Sequence, residues 1–326
     1  MNKIPVFLLW MSFAFCACTI QPPLTQITGE GIGTYYKITI ADKNDISKWQ
    51  IDSIIKELNN TASVFYLHSL VSKINRNETD TLNQILKEII DISLQVCEET
   101  EGAFDFTVGA LVNLWGFGKD APKEVSQEDV ENALKTVGYQ KIKIEDNKII
   151  KGNPETQLNF NAIAKGYCVD LVATFLTSKG LHNFLIDIGG ELYVSGKRAP
   201  NQKWRVGIQK PTENKEGAMA TEEIMELQDV AVATSGNYRN YIEENGKRLG
   251  HTLNPQTGYP ETSNLLSATV LASTCALADA YATAFMVMGE EKAQVFLAQR
   301  AEIKAYFMGE KEKGEKEKGA GKKRIK

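Results

Sequence analysis

The sequence has few histidines, three in 326 residues, so an imidazole general base must be His68, His182 or His251. It lacks a basic stripe interleaved with aromatics and carries a formal net charge of −4, which excludes nucleic acid as a partner class. It lacks an internal repeat and a convincing linker through its body. Cysteine is scarce. Cys97, Cys168 and Cys275 are irregularly spaced, and each lies in an apolar helical pattern. They read as small buried hydrophobes, not as a disulfide frame or zinc site. A dinucleotide fingerprint is missing too. Ile186 to Glu191 is a strand ending in Gly189-Gly190 and a carboxylate, but the spacing is wrong and no helix follows. Ala233 to Tyr238 places hydroxyls and Gly236 at a strand end without the Gly-x-Ser-x-Gly order of a hydrolase nucleophile.

What remains is globular composition, 43% hydrophobic and 24% charged, on a chain long enough for a sizeable core. The N-terminus reads as a targeting segment. Asn2-Lys3 precede an apolar run from Ile4 to Ala17, which is too short to span a bilayer, and the chain turns polar at Thr19. Ala17-Cys18 at its end resembles a bacterial lipoprotein processing site, with Cys18 fitting better than Cys16. An ordinary secretory signal is the alternative. The expected division is a signal at 1–18, a tether at 19–27, one domain at 28–308, and a disordered Lys/Glu/Gly tail at 309–326. Acylation would tether the protein to a membrane of the bacterial envelope, facing the periplasm.

Apolar spacing predicts a strand over 31–41 and helices over 46–60, 82–101 and 162–179. A hairpin over 141–151 turns at Asp146-Asn147. Strands follow at 183–188, 191–195, 204–209, 224–227, 230–234 and 265–271. A helix over 275–288 stops at Gly289, and a short helix (291–299) and strand (303–307) close the chain. Adjacent strands without intervening helices predict an α+β fold of antiparallel sheets packed with helices.

Three places gather chemistry. Asp279 and Thr283 lie four apart, so their oxygens share one face of an Ala-rich helix. A hard cation such as Mg²⁺ would compensate a buried carboxylate there. Alternatively Thr283 bonds back to the Asp279 carbonyl, and Asp279 is stabilised near its helix start by the dipole. Leu158 to Gly166 is a strand running into a helix start, with Asn161 a possible cap and Lys165 a positive charge suited to anions. His251 sits at a strand end before the turn residues Asn254 to Gly258.

With Gly102 to Gly118, Asn159 to Gly166, Ile186 to Gly196, Ala233 to Tyr238 with His251 to Gly258, and Ala278 to Thr283 in this order, the chain resembles the FAD:protein FMN transferases, the ApbE-like flavin transferases. The resemblance covers roughly residues 28 to 308 and implies a single, tunnelling-fold-like domain. It implies Mg²⁺ at the Ala162 carbonyl, Asp279 and Thr283. It implies FAD contacts at Ile32, Phe65, Ala103, Phe104, Asp105, Asn159, Lys165 and Leu253, with Phe65 packing on the flavin ring and His251 as base. Phe106 departs from the usual Pro, and Asn159 and Lys165 stand where many members carry an acid. The implied reaction moves FMN from FAD to a Thr or Ser hydroxyl of an acceptor protein and releases AMP. The implied acceptors are subunits of membrane redox pumps or other exported flavoproteins. Water as acceptor would instead make an FAD pyrophosphatase, and no turnover at all would make a flavin-binding lipoprotein.

Overall fold

The computed structural model describes residues 24–118, 124–209, 221–237, 241–244, 247–262 and 265–309. The expected signal with Cys16 and Cys18, and the tail beyond 309, lie outside the described residues. The strands β1 (Thr25–Gly31) and β2 (Thr34–Ile40) open the chain. Helices α1 (Lys48–Ala62), α2 (Leu70–Asn75), α3 (Gln84–Glu99), α4 (Gly109–Leu114) and α5 (Gln127–Leu134) follow. The hairpin β3 (Ile142–Glu145) and β4 (Lys148–Lys151) leads to α6 (Ala164–Ser178). Then come β5 (Phe184–Ile188), β6 (Glu191–Ser195), β7 (Trp204–Gln209), β8 (Thr221–Leu227), β9 (Val230–Gly236), β10 (Tyr241–Glu244), β11 (Lys247–Gly250) and β12 (Leu265–Ala272). The chain closes with α7 (Cys275–Leu297) and β13 (Lys304–Gly309).

Seven strands form one sheet in the order β1-β2-β5-β6-β9-β12-β13, and every neighbouring pair is antiparallel. This is the expected α+β class. Alternation along each strand sets its two faces. Phe184, Ile186 and Ile188 of β5 and Ala231 and Ala233 of β9 are fully buried in the main core with α6 and α7. Burying each of the larger side chains contributes about 1.5–3 kcal/mol. On the opposite face the β7–β8 hairpin covers part of the sheet, packing Trp204, Val206 and Leu227 on Val194, Val232 and Leu271. With both faces covered, the central strands read as apolar runs.

The long helices form where their apolar stripes predict. In α3, Asn83 caps by accepting from the Leu86 amide, and Leu86, Ile89, Ile90 and Val96 are buried. The β3–β4 turn falls at Asp146-Asn147, both with positive φ (50° and 59°). The α7 span is two helical stretches that break at Gly289, whose backbone is non-helical (φ 73°, ψ 166°), as the sequence predicts; the second follows directly and runs to Leu297. Its N-terminus is held by Asp170 of α6, whose carboxylate accepts from the Cys275 and Ala276 amides at 2.8 Å each. Cys97, Cys168 and Cys275 are buried free thiols, as expected. One boundary differs from expectation: Thr25 to Ile27, read as tether, already belong to β1, with Ile27 in the core.

Candidate active site

The site begins with a glycine. A Cβ on Gly166 would lie 2.2 Å from the Cys275 carbonyl oxygen and 2.8 Å from Asp279 Cβ, so only glycine lets α6 approach α7 this closely. The contact lets the Gly166 amide donate to Asp279 Oδ2 at 3.0 Å. Gly166 is the third residue of α6, and a first-turn amide has no acceptor within its own helix. Asp279 supplies that acceptor, and the Ala162 carbonyl, just before the helix, has no backbone donor among the described residues. The carboxylate, 3% exposed, thus caps the neighbouring helix and not its own. Nor does Thr283 turn back on the Asp279 carbonyl; its hydroxyl meets Ser235 Oγ of β9 at 3.0 Å. Asn161 is not the cap of α6 either. Its amide donates to Asn159 Oδ1, and the N-cap position is Ile163, which makes no side-chain cap.

Ala162, Asp279 and Thr283 line one cleft of about 870 Å³, within the roughly 300–1,000 Å³ usual for ligand sites. An unclaimed carbonyl, a buried carboxylate and a hydroxyl make an oxygen-only set, which fits a hard cation. Among the described residues no three His, Cys, Asp or Glu side chains converge on a metal, so such an ion would depend on the carbonyl and hydroxyl.

The expected flavin contacts fall on the same surface. Ala103, Phe104, Asp105, Asn159, Lys165, Leu253 and Ile32 all line this cleft, and Phe65 lines a second one that shares Ile32 and Lys165 with it. Phe65 is 55% exposed, as a platform for a ring must be. Ile32 and Gly33 form the two-residue β1–β2 turn with φ of 52° and 69°. A β-branched residue in the left-handed region is strained by about 1–3 kcal/mol, and such strain collects at functional sites.

Asp105 is committed to the protein. Its oxygens accept from the Thr107 amide (2.8 Å), the Thr107 hydroxyl (2.6 Å) and the Tyr139 amide (2.9 Å). Burial pushes its carboxyl up, against these hydrogen bonds. Its side chain shapes the 103–107 segment, and the Asn159 amide ties that segment to the α6 entry by donating to the Phe106 carbonyl at 2.7 Å. Phe106, the departure from Pro, is buried and stacks on Phe160 at 5.5 Å.

His251 lines the cleft with its ring 6.5 Å from that of Phe117, edge to face. The loop behind it is fastened to the 101–115 segment. Asn254 Oδ1 accepts from the Gln256 and Thr257 amides. Trp115 Nε1 donates to the Gly258 carbonyl at 2.8 Å, and Gln256 Nε2 to the Glu101 carbonyl at 3.0 Å. His251 and Ala103 to Asp105, about 150 positions apart in sequence, are thereby one assembly.

Lys165 reaches across the cleft to Glu191, with Nζ against Oε1. Burial pulls the ammonium down, but Asp279 and Glu191 outweigh it and hold it above the ordinary lysine value. Burial pushes the Glu191 carboxyl up, against the pull of Lys165. In the sequence Glu191 stands out only as a carboxylate directly after paired glycines. Among the described residues, the expected site residues all line the one cleft except Phe65, which lines the adjoining one.

The ApbE family profile matches residues 32–307. An FAD:protein FMN transferase of Vibrio cholerae is 38% identical over 291 residues, 84% of each chain. One from Haemophilus influenzae is 34% identical over 314 residues, 91% of this chain and 90% of the relative. Among solved structures, the flavin transferase ApbE from Vibrio cholerae superposes with a TM-score of 0.79 at 33% identity, covering 89% of this chain and 95% of that one. The apo form of the Pseudomonas stutzeri flavinyl transferase ApbE does so at 0.79 and 32%, covering 91% and 94%.

Proposed function

The chain belongs to the ApbE family, and from that membership we infer that it is an enzyme moving FMN from FAD to an acceptor protein. In the finer reading, a Thr or Ser hydroxyl of the acceptor attacks the FMN-side phosphorus of FAD. A new O–P bond forms, the bridging P–O bond breaks, and AMP leaves. The observation that carries this reading is the convergence of the Ala162 carbonyl, Asp279 and Thr283 on the cleft that holds the flavin-side residues. These three would hold Mg²⁺. Bound there, the ion would neutralise the pyrophosphate and the charge growing on the leaving group.

The protein's own groups supply the rest. Lys165, kept cationic beside two carboxylates, attracts the pyrophosphate to the N-terminus of α6. Phe65 and Ile32 seat the flavin end, and Ala103 to Asp105, Asn159 and Leu253 line its approach. His251, held by its anchored loop, takes the proton of the acceptor hydroxyl on a ring nitrogen. Positioning and electrostatics carry most of such a step. Cys18 is the proposed lipid attachment, which places the enzyme on the bacterial envelope facing the periplasm.

The test is to incubate purified protein with FAD, Mg²⁺ and a Thr-bearing acceptor, and to follow flavin by mass. Covalent FMN on the acceptor supports transfer. Free FMN with no adduct would make the enzyme a pyrophosphatase. Asp279→Ala and Asp279→Asn should both abolish Mg²⁺-dependent transfer, and the Asn variant keeps an acceptor for the Gly166 amide. Normal transfer with normal metal dependence in the Asn variant would sink the metal assignment.

A further inference from the structure

Glu191 has no part in the reaction above, yet it is 2% exposed and lies on the wall of the same cleft. It opens β6 immediately after Gly189-Gly190 and pairs in register with Ile188, so its backbone is fixed by the sheet. One oxygen meets Lys165 Nζ. The other, Oε2, is buried and has no hydrogen-bond partner among the described residues. A carboxylate serving only to clasp β6 to α6 would be an expensive choice. A buried charge costs several times more than a neutral amide, and a half-satisfied buried oxygen more still. Retaining the charge there calls for a reason beyond adhesion.

The reason lies in the count of charges. Two carboxylates, Asp279 and Glu191, face one ammonium, and Lys165 feels the attraction of both. If Asp279 is to hold a divalent cation, Lys165 and the metal become rivals for one carboxylate inside one cleft. A lysine with no other counter-charge would settle on Asp279. We propose that Glu191 is a positioning residue that holds Lys165 off Asp279, leaving the Asp279 carboxylate for Mg²⁺. The inference rests on the metal reading given above. It divides the two acids between two cations: Asp279 compensates the metal, and Glu191 compensates the lysine that meets the phosphates. The unpartnered Oε2 fits this role, because a second protein donor on Glu191 would weaken its hold on the ammonium.

The test measures metal binding itself, by calorimetric titration of Mg²⁺ into the FAD-free protein. Glu191→Gln keeps the shape and removes the charge. It should weaken Mg²⁺ binding by about 10- to 100-fold, the usual cost of losing an outer-shell group around a metal ligand. Removing the lysine as well, in Lys165→Met/Glu191→Gln, should restore affinity to within about twofold of Lys165→Met alone, since no rival for Asp279 remains. Glu191→Gln binding Mg²⁺ as tightly as the parent, with normal melting, would overturn the proposal. So would a double variant as weak as Glu191→Gln alone, because Glu191 would then act on the metal directly. If the single variant does not fold, the double variant still decides. Replacing a whole buried ion pair by neutral groups is commonly tolerated, and binding far weaker than in Lys165→Met overturns the idea. Asp279→Asn separates the two layers: Mg²⁺ binding that survives in it removes the metal reading and this inference together, whereas binding lost in Asp279→Asn but kept in Glu191→Gln overturns this inference alone.

Discussion

Ile32 occupies a turn position that Asn or Gly fills in most two-residue hairpins, because both central residues need positive φ. A structure that tolerates the strain is expected to use the side chain. Ile32→Asn should therefore stabilise the β1–β2 turn by about 1 kcal/mol, raising the melting temperature, while increasing the KM for FAD. A variant with unchanged KM would show that Ile32 is not a flavin contact. At this scale the sequence displayed some of the site and hid the rest. Asp279 and Thr283 were visible because a helix of known period puts positions four apart on one face. The Ala162 carbonyl was not visible without the family resemblance. A main-chain acceptor has no side-chain signature, and the carboxylate beside it is fixed by the Gly166 amide, 113 positions away in sequence. Asp105 carries ties the sequence does not display: it lines the cleft and also accepts from Thr107 and Tyr139.

At the scale of elements, two glycines of α6 and α7 make a contrast. Gly289 has a positive φ in a region reserved for glycine but open space where a Cβ would sit, so Gly289→Ala should cost about 1–3 kcal/mol of backbone strain alone and leave activity intact. Gly166 has no room at all, and the obstacle is the backbone of α7. Gly166→Ala should force α6 and α7 apart, free the Asp279 carboxylate from its amide and abolish Mg²⁺ binding, read by calorimetry alongside melting. The α6–α7 junction also carries a pH signature through Asp170. Burial pushes its carboxyl up to about 6 from 3.8, although it accepts two amides of α7. Its folded value lies above its unfolded one, so its stabilising share is complete below about pH 4 and is lost as the pH rises through 6. In metal-free buffer the melting temperature of the parent should fall relative to Asp170→Asn across that interval, and a flat difference would refute it. The long helices and the β3–β4 turn were legible because their periodicity or turn residues suffice. The short helices α2, α4 and α5 were not, because six to eight residues carry too few turns for a period to register. Tertiary ties hold the surrounding segments, such as the Asn75 side chain bonding both the amide and the carbonyl of Leu158.

At the scale of the whole molecule, the seven-stranded sheet runs from β1 at one edge to β13 at the other, and the main core extends from Ile27 to Ala305. Residues 24–309 should therefore melt within about 2 °C of the full chain, equivalent to less than about 1 kcal/mol. A chain beginning at Gly33 loses β1 and the burial of Ile27. It should lose about 2 kcal/mol or more, or roughly 4–8 °C. Equal melting of the two shortened chains would make β1 dispensable.

The edge position of β1 also has a consequence for geography. Leu24, just before that strand, and Gln26 within it are themselves part of the cleft wall. Six peptide steps separate Leu24 from Cys18, and a fully stretched chain covers about 20 Å over that distance. An enzyme acylated at Cys18 would work on a leash fixed beside its own mouth. Its reach would be a shallow layer over the lipid surface, and an acceptor would need to carry its target hydroxyl within that layer.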